Sequence, residues 1–178
     1  MRSQRRALLM VGLVFLVAIA AFIGGMATAQ AKAAQATPSA GHAQQVVNRY
    51  LTILNTGMST PACDFSGMAT IYAPNARVNA AAGPFAPNGP FGPGNAYGTQ
   101  EFNGIQAITG FYTKLCHVLY TKGLLSPSWT QDAGFALSPT VLNSYERVSS
   151  GGNLVGRCMH VFTVSGDQIT SLDWVVYQ

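Results

Sequence analysis

His160 and Asp173 are the two residues of this chain whose types and placement best suit acid–base chemistry. A carboxylate beside an imidazole fixes its tautomer and raises its basicity, which is what a general base requires. The two lie on successive β-rich runs, Leu154 to Val164 and Gln168 to Tyr177, separated by Ser165-Gly166-Asp167. With Gly166 and Asp167 as the turn residues, His160 faces Asp173. Slipping the turn by one residue toward Ser165 sets Asp173 opposite Cys158, still on the same face and diagonal to His160. The plainer alternative is a buried hydrogen bond that satisfies two polar groups, and on sequence alone it ranks first. Cys158 and His160 are two residues apart on one strand and point in parallel, so a Cys–His hydrolase is disfavoured. His42, His117 and His160 show no ligand spacing and have no carboxylate cluster around them, so neither a metal nor another cofactor is expected.

These residues must be positioned by a meander. Val141 to Val148 precedes Ser150-Gly151-Gly152-Asn153, a second good hairpin turn. With Gly151 and Gly152 at its tip, Glu146 faces Arg157, Tyr145 faces Cys158 and Asn143 faces His160. One sheet face then collects Asn143, Tyr145, Arg147, Cys158, His160, Phe162, Ser171, Asp173 and Val175. The other collects Glu146, Arg157, Met159, Val161, Leu172, Trp174 and Val176. The first set suits a cavity wall, and the second a dimer surface with an ion pair at its rim. Pattern alone leaves the reverse assignment open.

Upstream, Val46, Val47, Tyr50, Leu51, Ile53 and Leu54 recur at helical spacing and Gly57 is a stop, which predicts a helix over 42–56. Asp64 can cap a shorter helix through Met68, Ile71 and Tyr72, ended by Pro74. Arg77-Val78-Asn79 reads as a short strand. Residues 83–98 carry Gly or Pro at most positions, and read either as a disordered insertion or as a lid that buries Phe85, Phe91 and Tyr97. Ile105, Ile108, Phe111, Tyr112 and Leu115 mark a third helix, followed by strand-like material around Ser128 to Ala133. Helices first and a meander afterwards predict an α+β fold with the helices on one sheet face.

The 178 residues, 48% hydrophobic and 9% charged, suit one globular domain and exclude a disordered or collagen-like chain. Three of the ten basic residues are Arg2, Arg5 and Arg6; without them seven basic residues stand against six acidic ones. Such a domain has no basic patch for a phosphate backbone, so no nucleic-acid partner is expected. The three arginines precede the uncharged run Ala7 to Ala31, which ends in Ala27-Thr28-Ala29-Gln30-Ala31. That is the order of a secretory signal peptide, with cleavage expected after Ala29 or Ala31. The alternative is an uncleaved anchor over residues 7–25, which would keep the domain at the membrane but outside it. Residues 32–41 read as a flexible linker and 42–178 as the folded domain. Of Cys63, Cys116 and Cys158 at most one pair can bond; Cys63 with Cys116 is expected because both fall in the helical part, the alternative being three buried thiols.

The order of a helix, a short helix ending Tyr72-Ala73-Pro74-Asn75-Ala76, a strand, Gly104-Ile105-Gln106-Ala107-Ile108 leading to Phe111-Tyr112, and a three-strand meander resembles the nuclear transport factor 2-like superfamily. It resembles most the branch of SnoaL-like polyketide cyclases and ketosteroid isomerases. The resemblance spans about 42–178 and implies a cone, a curved antiparallel sheet around a pocket closed by helices, that dimerises through the sheet. Tyr50, in Val46-Val47-Asn48-Arg49-Tyr50, takes the place of the isomerases' oxyanion-stabilising tyrosine, and His160 that of their second donor. Their base should fall at Asn79 or Ala80, and neither is an acid, so that base is not matched. SnoaL-type cyclases use an acid at a position comparable to His160. Tyr145-Glu146-Arg147-Val148 also resembles limonene epoxide hydrolases, but Ser149 stands where their next Asp belongs.

The expectation is an exported, homodimeric α+β cone that binds a small, largely apolar molecule among Tyr50, Asn143, Tyr145, Arg147, Cys158, His160, Phe162 and Asp173. The enzyme alternative makes His160 the proton carrier, Asp173 its orienting partner and Tyr50 the donor to a developing oxyanion. A third alternative is a non-catalytic extracellular interaction domain that uses the Met159, Val161, Leu172 and Trp174 face.

Overall fold

The computed structural model describes residues 40–81 and 99–177. The expected signal segment, the linker up to residue 39 and the Gly/Pro-rich stretch 83–98 lie outside the described residues. Helix α1 (Ala40–Met58) is followed by a 3-10 turn (Ser66–Thr70), strands β1 (Tyr72–Ala81) and β2 (Thr99–Asn103), helix α2 (Gly104–Thr121), and strands β3 (Ser128–Ser138), β4 (Val141–Ser150), β5 (Asn153–Ser165) and β6 (Gln168–Tyr177). The six strands form one sheet in the order β2-β1-β6-β5-β4-β3. All neighbours are antiparallel except β1 and β6, so the sheet is mixed rather than antiparallel throughout. The fold class is the expected α+β, a curved sheet with helices against it.

Both helices form because their apolar residues fall on one stripe. On α1 this stripe is Val46, Val47, Tyr50, Leu54 and Met58, and on α2 it is Ile108, Phe111, Tyr112, Leu115 and Cys116, all buried. They close over the sheet face that carries Leu142, Cys158, Phe162, Val164, Leu172 and Trp174, and these residues together make one core. Among the described residues no helix is long and apolar enough to cross a membrane.

The second expected helix shrinks to the 3-10 turn. Asp64 Oδ1 accepts the Ser66 N–H at 2.9 Å, but Tyr72 and Pro74 belong to β1. Proline drives the residue before it toward extended backbone. It can sit in this strand because the β1–β6 pairing is interrupted between Tyr72 and Arg77, where a missing N–H breaks no ladder.

Both expected hairpin turns form. Gly151 and Gly152 both have positive φ, 57° and 80°, as a type I′ turn requires. Yet each hairpin carries one extra residue a few positions beyond its turn. Ser149 pairs with Leu154 but Val148 with Gly156, leaving Val155 as a bulge. Val164 pairs with Ile169 but Thr163 with Ser171, leaving Thr170 as another. A one-residue shift moves every later side chain to the opposite sheet face.

Candidate functional site

The two bulges decide which groups meet. Ser144 faces His160 and Glu146 faces Cys158 across β4 and β5, and His160 faces Trp174 across β5 and β6. The expected pairings of Glu146 with Arg157, Tyr145 with Cys158, and Asn143 with His160 are each displaced by one residue. Asp173 faces Val161 and its Oδ1 accepts the Asn79 Nδ2–H at 2.8 Å. The structure does not bring Asp173 to His160.

The carboxyl beside His160 belongs to Glu146. Its Oε2 lies 2.6 Å from His160 Nδ1, with both side chains fully buried. Oε2 also accepts the Cys158 thiol proton at 3.4 Å, and Oε1 accepts the Ser144 hydroxyl proton. A donor chain runs in from α1: Gln44 Nε2 donates to Gln131 Oε1 at 2.8 Å, and Gln131 Nε2 donates to Ser144 Oγ at 2.9 Å. A carboxyl taken out of water needs such donors, because desolvation otherwise outweighs any local attraction. Burial, and after it the neighbouring Glu146, pushes the Cys158 thiol well up, so the sulfur keeps its proton.

The imidazole is walled by rings. Tyr50, Phe162 and Trp174 stand edge-on to it with centroids 5.7, 5.5 and 4.9 Å away. Although Nδ1 is close to Glu146, its N–H is not aligned on the carboxyl oxygen, and neither ring nitrogen has a hydrogen-bond partner among the described residues. Buried polar atoms without partners are scarce in folded proteins and need an explanation.

Tyr50 heads a second polar chain. Its hydroxyl bonds that of Tyr112 at 3.1 Å, and Tyr112 bonds Tyr72 at 2.8 Å. Burial first, and the neighbouring phenols after it, raises all three well above the ordinary range, so they remain neutral donors. The middle hydroxyl matters most. Tyr112→Phe strands two buried hydroxyls and is expected to cost about 2–4 kcal/mol, whereas Tyr72→Phe leaves Tyr112 bonded to Tyr50 and should cost about 1 kcal/mol. Urea denaturation of the two variants checks this, and equal losses would contradict it.

Of the expected site residues, Tyr50, Cys158, His160 and Phe162 share the interior. Asn143, Tyr145, Arg147 and Asp173 are on the other face. Arg147 Nε donates to Asp132 Oδ1 at 2.5 Å, Tyr145 packs on Phe135, and Asn143 pairs with Val161. Conversely, Leu172 and Trp174, expected on a partner-binding surface, are core. The expected rim residue Glu146 is the most consequential one that sequence reasoning misplaced, and Ser144, Gln131, Tyr72 and Tyr112 were not singled out as site residues. The alternation Leu172, Trp174, Val176 was the available signal, since apolar alternation marks a buried face. Cys63 and Cys116 form the expected disulfide and Cys158 is free.

Compared with protein-family models and with curated proteins, the chain matches none. Solved structures do match. A candidate SnoaL-like polyketide cyclase from Jannaschia sp. CCS1 superposes with a TM-score of 0.53 at 12% identity, over 78% of this chain and 88% of that one. A candidate isomerase of the SnoaL-like family from Agrobacterium tumefaciens gives 0.54 at 11%, over 78% and 99%. A nuclear transport factor 2-like protein of unknown function from Mesorhizobium loti gives 0.53 at 11%, over 78% and 93%. At such identities the likeness is one of fold, and fold does not choose an activity.

Proposed function

We propose that this chain, whose fold is that of the SnoaL-like and nuclear transport factor 2-like proteins, holds a small, largely apolar molecule inside its sheet against His160. One observation carries the reading: a fully buried imidazole whose Nε2 has no protein partner among the described residues, set within the rings of Tyr50, Phe162 and Trp174. An apolar wall with one convergent polar atom is the usual make-up of a small-molecule site. Acid–base chemistry on that molecule is the second reading. It draws on the same ring nitrogen, with the Glu146 carboxyl 2.6 Å from Nδ1 standing where Asp173 was expected and Tyr50 as the neutral donor.

Native mass spectrometry of the purified full chain tests the binding. The wild-type protein should carry one small apolar molecule per chain. His160→Phe keeps the ring but removes the nitrogen, and should lower occupancy about 2–10-fold, the worth of one hydrogen bond. A wild-type chain that is bare, and that also fails to bind anilinonaphthalene sulfonate saturably, would overturn the reading.

A further inference from the structure

We propose that Glu146, Cys158 and His160 form a binding site for one divalent transition-metal ion, held by carboxylate, thiolate and the imidazole Nδ1. The donor atoms of the three side chains all lie within 4.8 Å of one another, and all three residues are buried. They come from two adjacent strands in fixed register, Glu146 directly opposite Cys158 and His160 two residues farther along β5, so the backbone sets their spacing.

The chemistry of this set is specific. One nitrogen, one oxygen and one sulfur suit an ion of intermediate softness such as zinc, and three protein ligands leave a coordination position open. A tetrahedral ion with bonds of about 2.0–2.3 Å holds its ligands roughly 3.5 Å apart. The Sγ to Oε2 distance is 3.4 Å, and the Nδ1 to Oε2 distance of 2.6 Å must open by a side-chain adjustment of about an ångström. The unaligned Nδ1 is the second observation. An ion in the ring plane would give this nitrogen the partner that Glu146, for all its closeness, does not provide.

Charge and protons balance. The ion displaces the proton of the Cys158 thiol, which passes to solvent, and binds the neutral imidazole and the ionised Glu146. One dication against one thiolate and one carboxylate leaves the buried cluster uncharged, which removes much of the penalty of burying an ion. Ser144, bonded to the other carboxyl oxygen, acts as the outer partner that orients the ligand. The site uses the ring nitrogen opposite the one assigned to the apolar molecule, so neither reading depends on the other.

The test uses cobalt(II) chloride as the probe, both added to the purified full chain and present while it refolds. The expected result is one equivalent bound, with the near-ultraviolet charge-transfer band of a thiolate–cobalt bond. Cys158→Ser should abolish that band while the circular dichroism stays that of the folded protein. Ser144→Ala, which removes no ligand, should weaken binding about 10–100-fold. A folded wild-type chain that shows no thiolate band by either route overturns the proposal and leaves Glu146 as a carboxyl satisfied by protein donors alone. The apolar-molecule reading is scored separately by the native mass of metal-free protein.

Discussion

His160→Ala is expected to lower the unfolding free energy by about 3–5 kcal/mol, the usual result of emptying a ring-sized site in a packed interior. The loss has two sources. The Glu146 Oε2 loses the polar group that lies 2.6 Å away, close though its N–H is not aligned on the oxygen, and the space left by the imidazole sits among Tyr50, Phe162 and Trp174, which are locked by their own packing. The double variant Glu146→Met/His160→Leu should behave differently. With both polar partners replaced by apolar groups of similar volume, stability should return to within about 1 kcal/mol of wild type, because buried pairs rarely outperform a well-packed apolar substitute. Ser144 would still accept from Gln131. Guanidinium unfolding of the wild type, both single variants and the double variant closes the cycle. A stable double variant that no longer holds a ligand would mean the pair serves the site at no benefit to the fold. A double variant as weak as the sum of the singles would mean that the cluster holds the sheet together, and would remove the main reason for reading it functionally.

The fold and the site were legible to different degrees. Helical spacing from Val46 to Leu54 and from Ile108 to Leu115 located both helices, and Gly151, Gly152 and Gly166 located both hairpin turns, because these signals are local: a periodic stripe, or a positive φ that only glycine takes easily. Register is not local. The pairs nearest each turn, Ser150 with Asn153 and Ser165 with Gln168, sit where the turns dictate, but counting outward from them assumes an unbroken ladder. Val155 and Thr170 break it. Both side chains that matter most here were therefore placed by the same error, with Asp173 turned inward and Glu146 outward. Along β4 the two alternating sets, Leu142-Ser144-Glu146-Val148 and Asn143-Tyr145-Arg147, are similarly mixed, so hydrophobicity could not correct the count. Along β6 it could have, since Leu172, Trp174 and Val176 oppose Ser171 and Asp173. Where turn geometry and apolar alternation disagree, a bulge between them reconciles the two.

Cys63→Ala/Cys116→Ala should cost about 4 kcal/mol, nearly as much as the loss of His160, yet by acting on the opposite state. The bond joins residues 53 apart in sequence, and in the chain-entropy account a loop of that length restrains the unfolded chain by about 4 kcal/mol. A small part is offset in the folded protein, where Cys63 adopts a φ of 53°, a left-handed conformation that costs a non-glycine residue about 1 kcal/mol. The signature is therefore in the denaturant slope as well as the midpoint. Freed of its cross-link, the unfolded ensemble exposes more surface and the m-value should rise, whereas His160→Ala should leave the m-value unchanged. Dithiothreitol on the wild-type chain should reproduce the double variant, since the remaining Cys158 is already a buried thiol. The consequence reaches the interior, because Cys116 lies one turn of α2 beyond Tyr112 and on the same face. Tyr112 is the hydroxyl that joins Tyr50 to Tyr72. If the cross-link also fixes that face, the reduced protein should bind the apolar molecule more weakly while still folded. A fall in stability with an unchanged m-value would instead place the effect of the bond in the folded state, as a clamp between α2 and the segment that precedes the 3-10 turn.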